Sequence, residues 1–170
     1  MAKQHYATYE EIINQTKAWL KAIEKSRSAS FPDLNDYDQD LFTECGFTYY
    51  LSLGASTLFQ ELNDVPAPAV LGSELLLESQ NLFHSRNEQR KNKTLLVAVS
   101  RSGTTTETVK AVEKYKTDRR EDAVGICNYE EVLSKLSVVN FLIPLWQEES
   151  VAQTRSFASK FVAPTTLLCV

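Results

Sequence analysis

Apolar and polar positions alternate along this chain in two rhythms. Five short runs are predominantly apolar and bounded by polar residues: Leu41–Cys45, Ala67–Leu71, Thr94–Val99, Ala123–Cys127 and Val138–Leu145. Runs of that length read as strands buried on both faces. Between and after them lie stretches of helical period: Thr48–Leu62, Ser73–Phe83, about Thr105–Lys116, Glu130–Leu136 and Val151–Val162. In the first of these Leu51, Ala55 and Leu58 share one face, and Pro164 is expected to end the last helix. A charged loop, His84–Lys93, precedes the third strand. Strands that alternate with helices imply a parallel sheet covered on both sides. Ahead of this unit, Thr8–Lys25 reads as an amphipathic helix with Ile12, Ile13, Thr16, Trp19, Leu20 and Ile23 on its apolar face. Ser26–Asp33 reads as a linker, so residues 1–30 form a helix and linker and residues 31–170 a single domain.

Composition narrows the class without choosing a function. At 170 residues the chain is long enough for one domain with a sizeable core and short for two. A hydrophobic share of 43% and a charged share of 24% are those of an ordinary globular protein. The net charge of -4 gives no reason to expect a nucleic-acid partner. An anionic ligand must then be held by local dipoles rather than by the global field. Cys45, Cys127 and Cys169 lack metal-ligand spacing and read as reduced thiols of a cytoplasmic protein. Residues 1–30 contain no apolar leader core, and no segment is long enough for a membrane span.

The chemistry concentrates at Thr94–Val112, T-L-L-V-A-V-S-R-S-G-T-T-T-E-T-V-K-A-V. A buried strand runs into five hydroxyl side chains around Gly103, and a helix with Val109, Val112 and Tyr115 on one face follows. The amides that open a helix, its dipole, and neighbouring Ser and Thr hydroxyls together suit a phosphate. Gly103 lets the backbone approach closely. Thr104 and Glu107 have the spacing of a capping box, and a loop that merely caps its helix is the alternative reading. There is no Walker A lysine and no G-x-G-x-x-G, so no nucleotide cofactor is indicated. No metal cluster or nucleophile triad is visible either.

The segment S-R-S-G-T-T-T-E-T resembles the signature of the sugar isomerase (SIS) domain family, S-x-S-G-x-T-x-(D/E)-T. Three further segments match in the family's order. C-G-F-T-Y-Y at 45–50 is similar to its G-T-S-Y-Y turn. G-S-E-L-L at 72–76 is similar to A-S-E-F, and E-E-S-V-A-Q-T-R-S-F at 148–157 to E-x-x-V-A-x-T-(K/R)-x-F. Together they span most of the chain. Within the family the resemblance is to the first SIS copy of the isomerase half of glucosamine-6-phosphate synthase, and to related ketose/aldose isomerases and sugar-phosphate deaminases.

The resemblance implies a three-layer αβα sandwich, flavodoxin-like, around a five-stranded parallel sheet. It implies that Ser100, Ser102 and Thr105 hold a sugar phosphate, assisted by the backbone at Arg101 and Gly103. Arg101 reaches either the ligand or solvent. Gly46 and Thr48 would line the sugar side, with Phe47 standing where the family has a hydroxyl. Val151, Ala152 and Gln153 would contact the sugar through backbone or amide. Proton transfer between C1 and C2 of a phosphorylated sugar needs a carboxylate base, and Glu148 matches the family's glutamate. As an acid at the opening of the last helix, Glu148 is equally explained as a cap. Glu74 reads as structural, and His5 and His84 as surface residues. Relatives with these motifs usually carry two copies in tandem, and one is found here. That implies a partial chain, or a homodimer or higher oligomer whose two-fold axis replaces the tandem pairing, with apolar Leu167–Val170 covered. Two functions stay open: a sugar-phosphate isomerase, and a module that binds sugar phosphate without turning it over.

Overall fold

The computed structural model describes residues 6–63, 65–82, 93–119, 121–142 and 147–167. The elements run α1 (Ala7–Ser28), β1 (Gln39–Glu44), α2 (Tyr49–Asn63), β2 (Ala69–Leu71), α3 (Gly72–Leu82) and β3 (Thr94–Ser100). They continue α4 (Thr106–Arg119), β4 (Ala123–Cys127), α5 (Val132–Leu136), β5 (Val139–Leu142) and α6 (Arg155–Leu167). Phe83 and Leu145, placed by periodicity at element ends, fall outside the described residues. So do most of the His84–Lys93 loop and the segment beyond Leu167.

All five strands are parallel, in the order β2-β1-β3-β4-β5. β3 lies in the middle and is buried along its whole length. Successive side chains point to opposite faces, so each strand feeds two cores. Phe42, Val97, Val99, Val124 and Ile126 pack with α1, α2 and α6 through Ala22, Phe59 and Ala163. Leu41, Leu96, Ala98 and Ala123 face Leu75, Val112, Tyr115 and Leu133 from α3, α4 and α5. This is the expected three-layer sandwich with an N-terminal helix.

Three local expectations fail, each for a physical reason. The stripe that α1 buries is Glu11, Ala18, Ala22 and Ser26, whereas Ile12, Ile13 and Leu20 are about half exposed at 46%, 55% and 58%. Small side chains let the α1 backbone come close to α6, and Ser26 donates to the carbonyls of Ala22 (2.9 Å) and Ala163 (3.4 Å). The last helix begins at Arg155, not Val151, and runs through Pro164 rather than ending before it. Pro164 lies near its C-terminus, where one lost backbone bond disturbs little. Finally, α4 starts at Thr106, and the Thr104 hydroxyl donates to Ser102 Oγ (3.0 Å) instead of capping the helix. No helix among the described residues is long and apolar enough to cross a membrane.

Candidate functional site

Strand order reverses between β1 and β3, because β2 lies outside β1 and β4 lies on the far side of β3. Loops leaving the two strands therefore diverge to opposite faces and leave a crevice at their C-terminal ends. A cavity of about 230 Å³ opens there. Glu44, Thr48, Ser100, Arg101, Ser102, Thr105, Thr108 and Gln153 lie in its wall.

The loop after β3 forms one side. Gly103 sits at φ +70, a conformation that side chains disfavour. A Cβ there would also stand 3.1 Å from Glu131 Cβ. The loop is pinned to the β4–α5 connection by the Asn128 amide donating to Arg101 O (3.2 Å) and the Leu133 amide donating to Gly103 O (3.0 Å). Inside it, Ser100 Oγ lies 3.1 Å and Ser102 Oγ 3.5 Å from Thr105 Oγ1. The Gly103 amide donates to Ser100 Oγ (3.1 Å) and the Thr104 amide to Ser102 Oγ (3.1 Å). Two opening amides thus act through hydroxyls rather than pointing straight at the cavity. A hydroxyl that accepts an amide hydrogen still has its own proton to donate. Ser100 and Ser102 also share protons with Thr105, and an incoming anion would redirect them; the cluster of neutral hydroxyls beside a helix N-terminus suits an anion with several oxygens.

The turn after β1 forms the opposite side. Gly46 is at φ +70 and opens a 3₁₀ turn, Gly46–Thr48. Thr48 Oγ1 donates to Cys45 O (3.2 Å). Phe47 takes part in the wall, and its ring packs against Phe157 at 5.0 Å and Tyr50 at 6.4 Å. Phe47, which stands where the family has a hydroxyl, thus gives this chain an aromatic rim.

The segment before α6 contributes unevenly. Gln153 is in the cavity wall. Val151 is 94% exposed, and its carbonyl accepts from the Arg101 guanidinium (3.3 Å). Ala152 is exposed, and its carbonyl accepts from Ser150 Oγ (2.8 Å). Glu148 lies outside the described cavity wall. One of its oxygens accepts from Thr154 N (2.8 Å), Thr154 Oγ1 (2.8 Å) and Ser156 N (3.2 Å), and the other accepts from Ser156 Oγ. Its carboxylate holds the first turn of α6, as an acid at that position can.

Two charged residues that sequence reasoning missed meet at this cavity, Glu44 in its wall and Lys160 behind it. Glu44 ends β1 and Lys160 sits in the middle of α6, and each is only 1% exposed. Burial pushes the Glu44 carboxyl upward, with the Lys160 ammonium and the Thr48 and Ser52 hydroxyls opposing it. Burial pushes Lys160 downward, with Glu44 and Glu148 opposing. Lys160 Nζ donates to Gln153 Oε1 (2.9 Å). Beneath the same loop, burial raises the Cys127 thiol to about 11, so it stays protonated and is not a nucleophile near neutrality. No cluster of metal-ligating side chains occurs among the described residues.

No family model matches the chain. It is 26% identical over 161 residues to the glutamine–fructose-6-phosphate aminotransferase (isomerizing) of Helicobacter pylori, and 29% identical over 163 residues to that of Pyrococcus horikoshii. The alignments cover 94% and 92% of this chain but 26% of each relative, so the chain spans about a quarter of their length. Among solved structures it resembles the C-terminal domain of glucosamine-fructose-6-phosphate aminotransferase from Francisella tularensis (TM-score 0.79, 22% identity, 98% of this chain and 47% of that one). It also resembles glucosamine-6-phosphate deaminase from Thermotoga maritima (TM-score 0.73, 24% identity, 96% and 48%). In sequence and in fold, the chain is similar to the sugar isomerase (SIS) portion of the isomerizing aminotransferases, as its hydroxyl-rich loop led us to expect.

Proposed function

We propose that this chain is the phosphosugar-binding unit of a sugar-phosphate isomerase acting on a hexose or hexosamine 6-phosphate. The observation that carries the reading is the cluster of hydroxyls at the switch-point cavity, on a fold shared with phosphosugar enzymes. Ser100, Ser102 and Thr105 take the phosphate, and Arg101 adds a positive charge from the cavity wall. Gly103 shapes the loop. Thr48 and Gln153 meet the sugar from the opposite wall, while Gly46, Val151 and Ala152 shape the rim. The reaction moves a proton between C1 and C2 of the open-chain sugar. Glu148 serves as base only if its bonds to Thr154 and Ser156 are released; otherwise the base comes from a second copy of the fold. That copy lies in the same longer chain or across a two-fold axis, and light scattering at high concentration distinguishes the two. The setting is cytoplasmic, consistent with the free thiols of Cys45 and Cys127.

The second reading, binding without turnover, is favoured by the same engagement of Glu148 in the α6 turn. Incubation with fructose 6-phosphate or glucosamine 6-phosphate in deuterated water separates the two readings. Deuterium at C1 or C2 marks catalysis, and binding without exchange marks the module. For the site itself, Ser102→Ala removes one hydrogen bond to a charged group and should weaken sugar-phosphate binding about tenfold. A thermal-shift titration reads this. An undiminished shift in the variant would remove the loop from the site.

A further inference from the structure

We propose that Glu44 recognises the neutral, hydroxyl-bearing carbons of the sugar, with Lys160 behind it as the counter-charge that keeps a carboxylate in the wall. The inference rests on the sugar-phosphate reading above and carries it from the phosphate end of the ligand to the sugar end.

Placement comes first. Glu44 and Ser100 close neighbouring strands on the two sides of the crevice, and both lie in the wall of one cavity. A phosphate seated in the hydroxyl loop therefore directs the rest of its molecule toward Glu44. Satisfaction comes second. Glu44 Oε2 accepts a long bond from Ser52 Oγ at 3.4 Å, and Oε1 is buried with no hydrogen-bond partner among the described residues. The nearby Thr48 hydroxyl favours the charged form of Glu44, but its hydrogen is shared with Cys45 O (3.2 Å). Thr108 Oγ1, in the same wall, is also buried without a partner. A buried acceptor left without a donor is costly, and a ligand hydroxyl in this cavity would supply the donor.

Charge then selects the ligand class. A carboxylate repels the phosphate, so the anion is confined to the hydroxyl loop and the ligand has one orientation. Lys160 is 1% exposed and donates to Gln153 Oε1, which also faces the cavity. With that ammonium already balancing Glu44, a ligand ammonium would add an uncompensated charge. A neutral hydroxyl offers the donor without the charge, and hydrogen bonds from hydroxyls to carboxylates are among the stronger ones. The pair therefore reads a polyol rather than an amine.

The test is calorimetric titration at pH 8 with inorganic phosphate and with fructose 6-phosphate. It compares the native chain, Glu44→Gln, Glu44→Asp and Ser102→Ala. Glu44→Asp keeps the charge beside Lys160 while withdrawing the oxygens by one methylene, and so covers the case in which Glu44→Gln does not fold. The expected result is a loss of about tenfold in fructose 6-phosphate affinity for each Glu44 variant, with phosphate affinity unchanged within about twofold. Ser102→Ala should weaken both ligands about tenfold. If the Glu44 variants retain fructose 6-phosphate affinity, or lose phosphate in the same proportion, the proposal is overturned and the phosphate site stands. If the native chain binds neither ligand, the sugar-phosphate reading fails and this proposal with it.

Discussion

Strand β1 carries two buried carboxylates on one face of the sheet, four residues apart and at opposite ends. Asp40 is 2% exposed near the N-terminal edge, and Glu44 is 1% exposed at the C-terminal edge. Burial raises both, Asp40 to about 6, and there the likeness stops. For Asp40 burial is the cause, with no opposing cation and no hydrogen-bond partner for its Oδ1 among the described residues. Glu44 has Lys160 opposing its burial, two hydroxyls nearby and a cavity beside it. The same residue chemistry in the same strand is a tolerated burden at one end and a polar wall at the other. A buried charge alone marks nothing. A counter-charge and an open side turn it into a candidate for recognition.

The largest expected loss of stability tests whether the pair is real. Lys160→Met leaves Glu44 buried without its counter-charge and should destabilise the fold by on the order of 1–3 kcal/mol at pH 7.5, between the raised Glu44 value of about 7 and the lowered Lys160 value of about 8. The loss narrows toward pH 5. There Glu44 takes up a proton, and in the native protein Lys160 becomes the group left unbalanced. Urea denaturation at the two pH values reads both limbs. A cost near zero at pH 7.5 would erase the distinction from Asp40.

Asp40→Asn should do the opposite. The folded-state value lies above the ordinary 3.8, so the native protein has its full stability from this group below about pH 3.8 and loses it as pH rises through about 6. Removing the charge should therefore stabilise the fold by on the order of 2–3 kcal/mol at pH 8 and leave it unchanged at pH 3. Destabilisation at pH 8 would mean that the Asp40 charge has a partner after all.

The contrast also explains what sequence reasoning reached. The strand, hydroxyl loop and helix at 94–112 were legible because each part is local: an apolar run, a turn composition, then a helical period. Thr48, Ser100, Arg101, Ser102, Thr105 and Gln153 were named from their motifs, and they meet in one cavity. Glu44 and Lys160 were not legible. They lie far apart in sequence, and either alone reads as a solvated charge. A weak signal existed, since Glu44 interrupts L-F-T-E-C and Lys160 interrupts F-A-S-K-F-V. The α1 face was misread for the reverse reason: its contact with α6 is made by alanines and a serine, while larger Ile12 and Ile13 face outward. Periodicity weighted by size points to bulk, and a close helix contact selects against bulk.

The smallest effect sharpens the comparison most, because its sign should change with pH. Ser52 is buried in α2 and donates to Glu44 Oε2 over 3.4 Å, a long and weak bond. Ser52→Ala removes that donor, at a cost of about 0.5–1 kcal/mol while Glu44 is ionised. Alanine also favours the helix by up to about 0.5 kcal/mol, at every pH. At pH 8 the lost bond should win and the variant should be slightly less stable than the native chain. At pH 5, with Glu44 protonated and less dependent on a donor, helix propensity should win and the variant should be slightly more stable. Differential scanning calorimetry of the two proteins, run side by side at both pH values, resolves a crossing of this size in Tm. Parallel shifts would show that Ser52 does not sense the charge on Glu44, and Glu44 would then be supported by Lys160 and Thr48 without it.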